Sequence, residues 1–171
     1  MTSPAGQPPR LLAGGTLPAY AHLPGVTPHP VRDPAGHSHG LDEPDPPPPD
    51  PACWRDSRAY LRGIDLFNHG YFWEAHEAWE CLWNACGRTG RTALFLKGLI
   101  ALAAAGLKRR GKAPGGARHH AARARGLFLQ ADLASAGTFM GLSLADLHRV
   151  ADKLEDEGAR ADHLVLRPVD D

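Results

Sequence analysis

The chain has 171 residues, 43% hydrophobic and 22% charged, proportions that suit a folded domain and exclude a fibrous or low-complexity protein. Lys plus Arg and Asp plus Glu each number 19, so no whole-chain charge argument for nucleic acid or a membrane surface exists. The three cysteines, Cys53, Cys81 and Cys86, have no C-x-x-C spacing, which excludes a disulfide framework and a thiolate zinc ribbon and points to a reducing, cytoplasmic compartment.

Fourteen of the 16 prolines precede Ala52, whereas all four tryptophans lie between Trp54 and Trp83, dividing the chain into an arm and a body. The first residues contain no apolar run of the kind a secretory signal needs. Proline density forbids regular helix in residues 1–51, which are expected either to be disordered or to dock on the body as a stiffened segment. Pro44 to Pro51 reads as a polyproline spacer. The body is expected over residues 52–158, with residues 159–171 a loosely held tail.

Asp50-Pro51 offers an N-cap and a first-turn proline, and Trp54, Arg58, Leu61, Ile64 and Asp65 recur at helical spacing, predicting helix one to about Asn68. After Asn68-His69-Gly70, the stripe Phe72, Ala75, Trp79, Leu82, Trp83 and Cys86 predicts helix two. Ala93 to Leu107 is apolar on nearly every face, with Lys97 inside it. It predicts a central helix three rather than a membrane span, which needs about 20 residues. Ala117, Ala121, Ala124, Phe128 and Ala131 give helix four a stripe of small residues, and Ser143 with Asp146 resembles a capping box opening a fifth helix that ends by Gly158. No stretch alternates with period two. The expected class is all-α, an irregular bundle of about four to five antiparallel helices with a proline-rich N-terminal arm.

Chemistry concentrates in His76-Glu77-Ala78-Trp79-Glu80. Residues four apart share a helix face, so His76 and Glu80 project together, with Glu77 about 100 degrees further round. A zincin helix uses two His at that spacing with the intervening Glu as general base; here Glu, a permissible oxygen ligand, replaces the second His. The alternative is a polar cluster joining helices, with Arg58, Arg62 or Lys97 as counter-ions. Further ligand candidates are Glu74, Asp65, His69, His119 and His120, with His29 and His37 if the arm docks; spacing selects none.

Between Cys81 and Ala131 stand ten Lys or Arg and no acidic residue. Lys108, Arg109, Arg110 and Lys112 mark an anion-binding turn between helices three and four, or else a basic hairpin facing the acidic residues after Ala131. No aromatic residue lies between Arg109 and Arg125 to stack on bases, which weighs against single-stranded nucleic acid and leaves a small anion, an acidic partner or an RNA backbone. Cys81, Cys86 and the tryptophans read as buried packing residues.

The run Phe67-Asn68-His69-Gly70-Tyr71-Phe72-Trp73-Glu74-Ala75-His76-Glu77-Ala78-Trp79-Glu80-Cys81-Leu82-Trp83 resembles the signature F-N-x-G-x-[FY]-x-E-x-H-E-x-x-E-x-x-W of the bacterial and archaeal family designated domain of unknown function 309. Phe95-Leu96-Lys97-Gly98-Leu99-Ile100 and the later glycines Gly111 and Gly116 extend the likeness over roughly residues 57–131. The resemblance implies a small all-helical fold and a polar signature at Asn68, Glu74, His76, Glu77 and Glu80, and no established activity. Ala101 stands where many members carry Gln, and the histidines of the arm resemble, more loosely, an N-terminal extension of some members.

Two functional readings follow. In the first, a metal-assisted hydrolase acts on a small anionic substrate: His76 and Glu80 hold a divalent ion, Zn or Mn, Glu77 activates water and Asn68 orients the ligand. In the second, a non-catalytic interaction module uses the cluster for packing and the basic hairpin for an acidic partner or RNA. No membrane partner is expected, and a homodimer is compatible with either.

Overall fold

The computed structural model describes residues 8–131, 137–156 and 164–169. A 3-10 turn, Pro51–Asp56, precedes α1 (Arg58–Asn68), α2 (Phe72–Ala85), α3 (Gly90–Arg110) and α4 (Pro114–Gln130). A two-stranded antiparallel hairpin, β1 (Thr138–Phe139) and β2 (Leu142–Ser143), then leads into α5 (Leu144–Glu155). The all-α class holds, with the hairpin an addition that two-residue strands are too short to announce by alternation. Its turn places Met140 and Gly141 at φ 48° and 77°, the left-handed pair a tight hairpin needs.

The expected first helix is broken. Asp50 caps the 3-10 turn by accepting from Ala52 N at 2.9 Å, and Ser57, extended at φ −79° and ψ 92°, caps α1 through Tyr60 N. The two caps compete for one stretch, and the kink between them lets Trp54 bury beside Tyr60 with ring centroids 6.1 Å apart. The serine half of the expected capping box is present: Ser143 Oγ accepts from Asp146 N at 3.1 Å, and its hydroxyl donates to Asp146 Oδ2 at 2.9 Å. The C-terminal limit expected for that helix, Gly158, lies outside the described residues.

At 21 residues, α3 is longer than its apolar core implied and long and apolar enough by composition to cross a membrane. Its apolarity is used inside the bundle: Phe95, Leu96, Leu99 and Leu102 are fully buried where α3 packs on α2 and α4. Gly98 and Gly106 admit the rings of Phe128 and Phe72, which a Cβ at either position would meet at 2.7 and 2.6 Å. Tyr60, also fully buried, donates from its hydroxyl to Met140 O at 2.9 Å and ties the hairpin to α1.

The described part of the arm is docked. Asp65, buried on α1, accepts from Leu11 N at 2.7 Å and Leu12 N at 3.0 Å. Glu74, buried on α2, accepts through Oε1 from His22 N at 2.8 Å and lies 3.0 Å from His37 Nε2. At the other end of the chain, Leu164 and Leu166 are buried, and Leu166 exchanges two hydrogen bonds with the Asn68 amide, 2.7 and 2.8 Å long. Of the tail expected over residues 159–171 to be loosely held, the described residues 164–169 are tied to α1 through Leu166 and to the hairpin through Val169 N, which donates to Gly141 O at 2.8 Å.

Candidate functional site

Helix α2 buries Phe72, Ala75, Trp79 and Leu82 in the core, which leaves His76, Glu77 and Glu80 on its outer shoulders, half-buried. One ligand atom from each of these three lies within 4.8 Å of the others. His76 Nδ1 is 3.4 Å from Glu77 Oε1 and 3.9 Å from Glu80 Oε2. That nitrogen is itself buried and makes no hydrogen bond, an arrangement suited to a lone pair kept for a cation or a proton. Among the described residues no other set of three His, Cys, Asp or Glu converges in this way.

A groove of about 220 Å³ opens beside the cluster between α2, α3 and α4. His76, Glu80 and Trp83 form one wall, Lys97 and Ala101 come from α3, and His120 and Arg123 from α4. Lys97 Nζ lies 5.4 Å from the centroid of the Trp83 ring, so its ammonium is held over an aromatic face within the groove. Burial first, then the neighbouring His119, Lys108 and Arg123, hold the His120 pKa below its usual 6.5, so the imidazole is neutral near pH 7. The groove therefore sets a carboxylate-imidazole wall against two cations.

The other expected ligands are employed elsewhere. Asp65 and Glu74 hold the arm, and both functions of the Asn68 amide go to Leu166 rather than into the groove. His29 and His37 do reach α2, but at Trp73 and Glu74: the His29 ring lies 5.4 Å from that of Trp73, edge on. His69 Nδ1 is taken up by Asp65 O at 2.7 Å, and His119 stacks edge-on against His120 at 5.5 Å.

In the expected anion-binding turn, Arg109 donates to Leu154 O at 3.4 Å and Arg110 to Gly70 O at 2.7 Å, so both guanidinium groups brace neighbouring elements. Lys108 runs along Gly116 in the first turn of α4, and Lys112 occupies left-handed backbone at φ 57° within the turn itself.

The cysteines and two tryptophans depart from the buried role read for them. Cys81 is exposed and Cys86 half-buried, while Trp73 and Trp83 form cavity walls; only Trp54 and Trp79 fill the core. The reason for Cys81 and Trp73 is rotation: Trp79 owns the buried face of α2, and at two positions after it and six before it they lie about 200 and 120 degrees round the helix from that face. Of the groove's other polar residues, the sequence offers Lys97 as a counter-ion to the cluster and His120 as a further ligand candidate, and both line the groove; Arg123 is left unassigned, its one signal being positive charge amid the small residues of α4.

No curated protein and no solved structure matches the chain. Residues 60–120, from α1 into α4, match the family model described as Domain of unknown function (DUF309), and this matched segment carries the His76 cluster and most of the groove.

Proposed function

We propose that the chain is a metal-assisted hydrolase acting on a small anionic substrate, with its centre at His76, Glu77 and Glu80 and its substrate groove between α2, α3 and α4. The observation that carries this reading is the convergence of three ligand atoms within 4.8 Å about a buried imidazole nitrogen that has no hydrogen-bond partner. His76 and Glu80 hold a divalent ion, Zn or Mn, which when bound lowers the pKa of water and neutralises developing oxyanion charge. Glu77, which lines the arm-side face of α2 rather than the groove but lies 3.4 Å from His76 Nδ1, accepts the proton of the attacking water as the oxygen adds to the substrate's electrophilic centre, and returns it to the leaving group. Lys97 and Arg123 attract the anionic portion of the substrate into the groove. Engagement of Arg109 and Arg110 with backbone carbonyls favours the groove over the α3–α4 turn as the anion-recognising surface.

The test is elemental analysis for Zn and Mn of chain purified without chelator and then reconstituted with each ion. Near-stoichiometric metal is expected in the parent and in Glu77→Gln, and its loss in His76→Ala. Because the three side chains are partly exposed, His76→Ala should cost at most about 1 kcal/mol in thermal unfolding. No metal uptake after reconstitution, or a loss of 3 kcal/mol or more, as expected on the order of a disrupted buried pair, would assign the cluster to packing instead.

A further inference from the structure

Lys97, Ala101 and Ala104 line the groove from α3, and His120 and Arg123 line it from α4, each set spaced by three or four residues, so one face of each helix opens onto it. The methyl side chains of Ala101 and Ala104 keep space clear between the two long cations. Those cations differ from their neighbours in the basic stretch. Arg125 is paired with Asp152 and Glu155 of α5, and Arg110 donates to Gly70 O. Among the described residues, neither Lys97 nor Arg123 forms an ion pair or a hydrogen bond through its side chain; Lys97 rests instead on the Trp83 ring.

We propose that Lys97 and Arg123 recognise a phosphoryl dianion and that the substrate is a phosphate monoester of a small aliphatic alcohol, an inference that rests on the reading of this groove as the substrate site of a hydrolase. Charge selects the group. Glu77 and Glu80 balance a divalent ion held at His76, which leaves the two positive charges of Lys97 and Arg123 for the substrate. A phosphate monoester brings roughly 1.5 to 2 negative charges near pH 7 and three acceptor oxygens, whereas a carboxylate brings a single charge. A guanidinium fork and an ammonium with three donors suit those oxygens.

Size selects the rest of the molecule. The groove's volume of about 220 Å³ lies below the range of about 300 to 1,000 Å³ usual for drug-sized ligands, so both cations meet one compact group rather than the two ends of a dicarboxylate. The Trp83 ring carries the Arg88 guanidinium, 5.0 Å from its centroid, as well as the Lys97 ammonium, and so is committed to charge rather than to stacking on a nucleobase. Ile100, Ala101 and Ala104 supply apolar wall for a short aliphatic alcohol. In the reaction the water oxygen bonds to phosphorus as the bond from phosphorus to the alcohol oxygen breaks. The proton lost by the water passes through Glu77 to that oxygen, giving the alcohol and inorganic phosphate.

The experiment is calorimetric titration of the full chain with inorganic phosphate, and separately with malonate and acetate, at constant ionic strength. It is run on chain stripped of metal and on chain reconstituted with Zn or Mn, with metal content measured on each sample. Phosphate is expected to bind near one per chain, about tenfold or more tighter than malonate or acetate, and about tenfold or more weaker in Lys97→Gln and in Arg123→Gln at unchanged metal content and thermal midpoint. Lys112→Gln, which removes an exposed charge from the α3–α4 turn, should bind phosphate as the parent does. The metal-loaded chain should release phosphate from glycerol 2-phosphate faster than from adenosine 5′-monophosphate, and the reverse order would overturn the small aliphatic substrate. Metal uptake with phosphate bound no better than malonate or acetate, or weakened as much by Lys112→Gln as by Lys97→Gln, would overturn the phosphoryl assignment and leave the metal reading standing. Phosphate binding that depends on Lys97 and Arg123 in a chain that takes up no metal would overturn the hydrolase reading and keep the phosphoryl site.

Discussion

Asp65, Asn68 and Glu74 are polar side chains on helices where the sequence suggests chemistry, yet each commits hydrogen bonds to a distant stretch of backbone. Asp65 receives two arm amides in succession, and Asn68 donates to and accepts from the same residue 98 positions away. Nothing local marks these partners, because a carboxylate or amide on a helix face looks the same whether it meets a ligand or a returning loop. Removing one leaves partly buried amides unpaired, at a cost of roughly 1 kcal/mol, the low end of the range for unsatisfied groups. Asp65→Ala is therefore expected to destabilise the chain by about that amount and to open the segment around Leu11 and Leu12 to limited proteolysis. Asn68→Ala should loosen residues 164–169 while leaving metal content at the parent level. Loss of metal in Asn68→Ala with the tail still protected would return Asn68 to the site.

At the scale of elements, the governing contacts are those in which a helix accommodates a ring. Gly98 of α3 faces Phe128 of α4, and a methyl group there would sit 2.7 Å from Phe128 Cδ1, closer than real Cβ atoms approach. Gly98→Ala adds helix propensity worth about 1 kcal/mol in an open position, but overpacking at such a junction costs about 1 to 3 kcal/mol. Because Phe128 is fully buried and cannot swing away, destabilisation is the expected net outcome, measured as a lower urea midpoint at unchanged slope. A higher midpoint would mean that the α3–α4 interface relaxes freely. This same pair of helices carries Lys97, His120 and Arg123 to the groove wall, so the spacing set by Gly98 also sets the groove's width. The periodicity that predicts α2 is reliable because a continuous apolar stripe admits one solution. The break at Ser57 was hidden because Asp50 and Ser57 both offer caps, and only the burial of Trp54 beside Tyr60 decides that both are used.

For the whole molecule, the docked arm and the buried histidines make stability depend on pH. His22, a buried residue of the arm, has its pKa lowered from 6.5 by burial first and by His29 second, with Glu74 and the Pro28 carbonyl opposing. His148 on α5 is lowered by burial and by Arg125. Both groups stay neutral in the folded chain at a pH where the unfolded chain already binds protons. Their contribution is complete above about pH 6.5 and is lost as the pH falls toward the folded values. Thermal melts from pH 8 to pH 5 should show a falling midpoint below about 6.5, with a shallower fall in His148→Gln. A midpoint that rises on acidification would contradict the assignment.

What the sequence determined alone was whatever depends on short separations: the helices α2 to α4 from apolar spacing, the capping box before α5 from Ser143 and Asp146, and the three-residue cluster from its position on one helix. These follow from 3.6-residue geometry, which any stretch of chain carries within itself. The tertiary structure alone decided which polar residues were already spoken for, which tryptophans became walls rather than core, and where the cations of α3 and α4 came to face His76. Those outcomes depend on pairing between residues tens of positions apart, where the preference of each partner is weak and only simultaneous packing of arm, bundle and tail selects one arrangement.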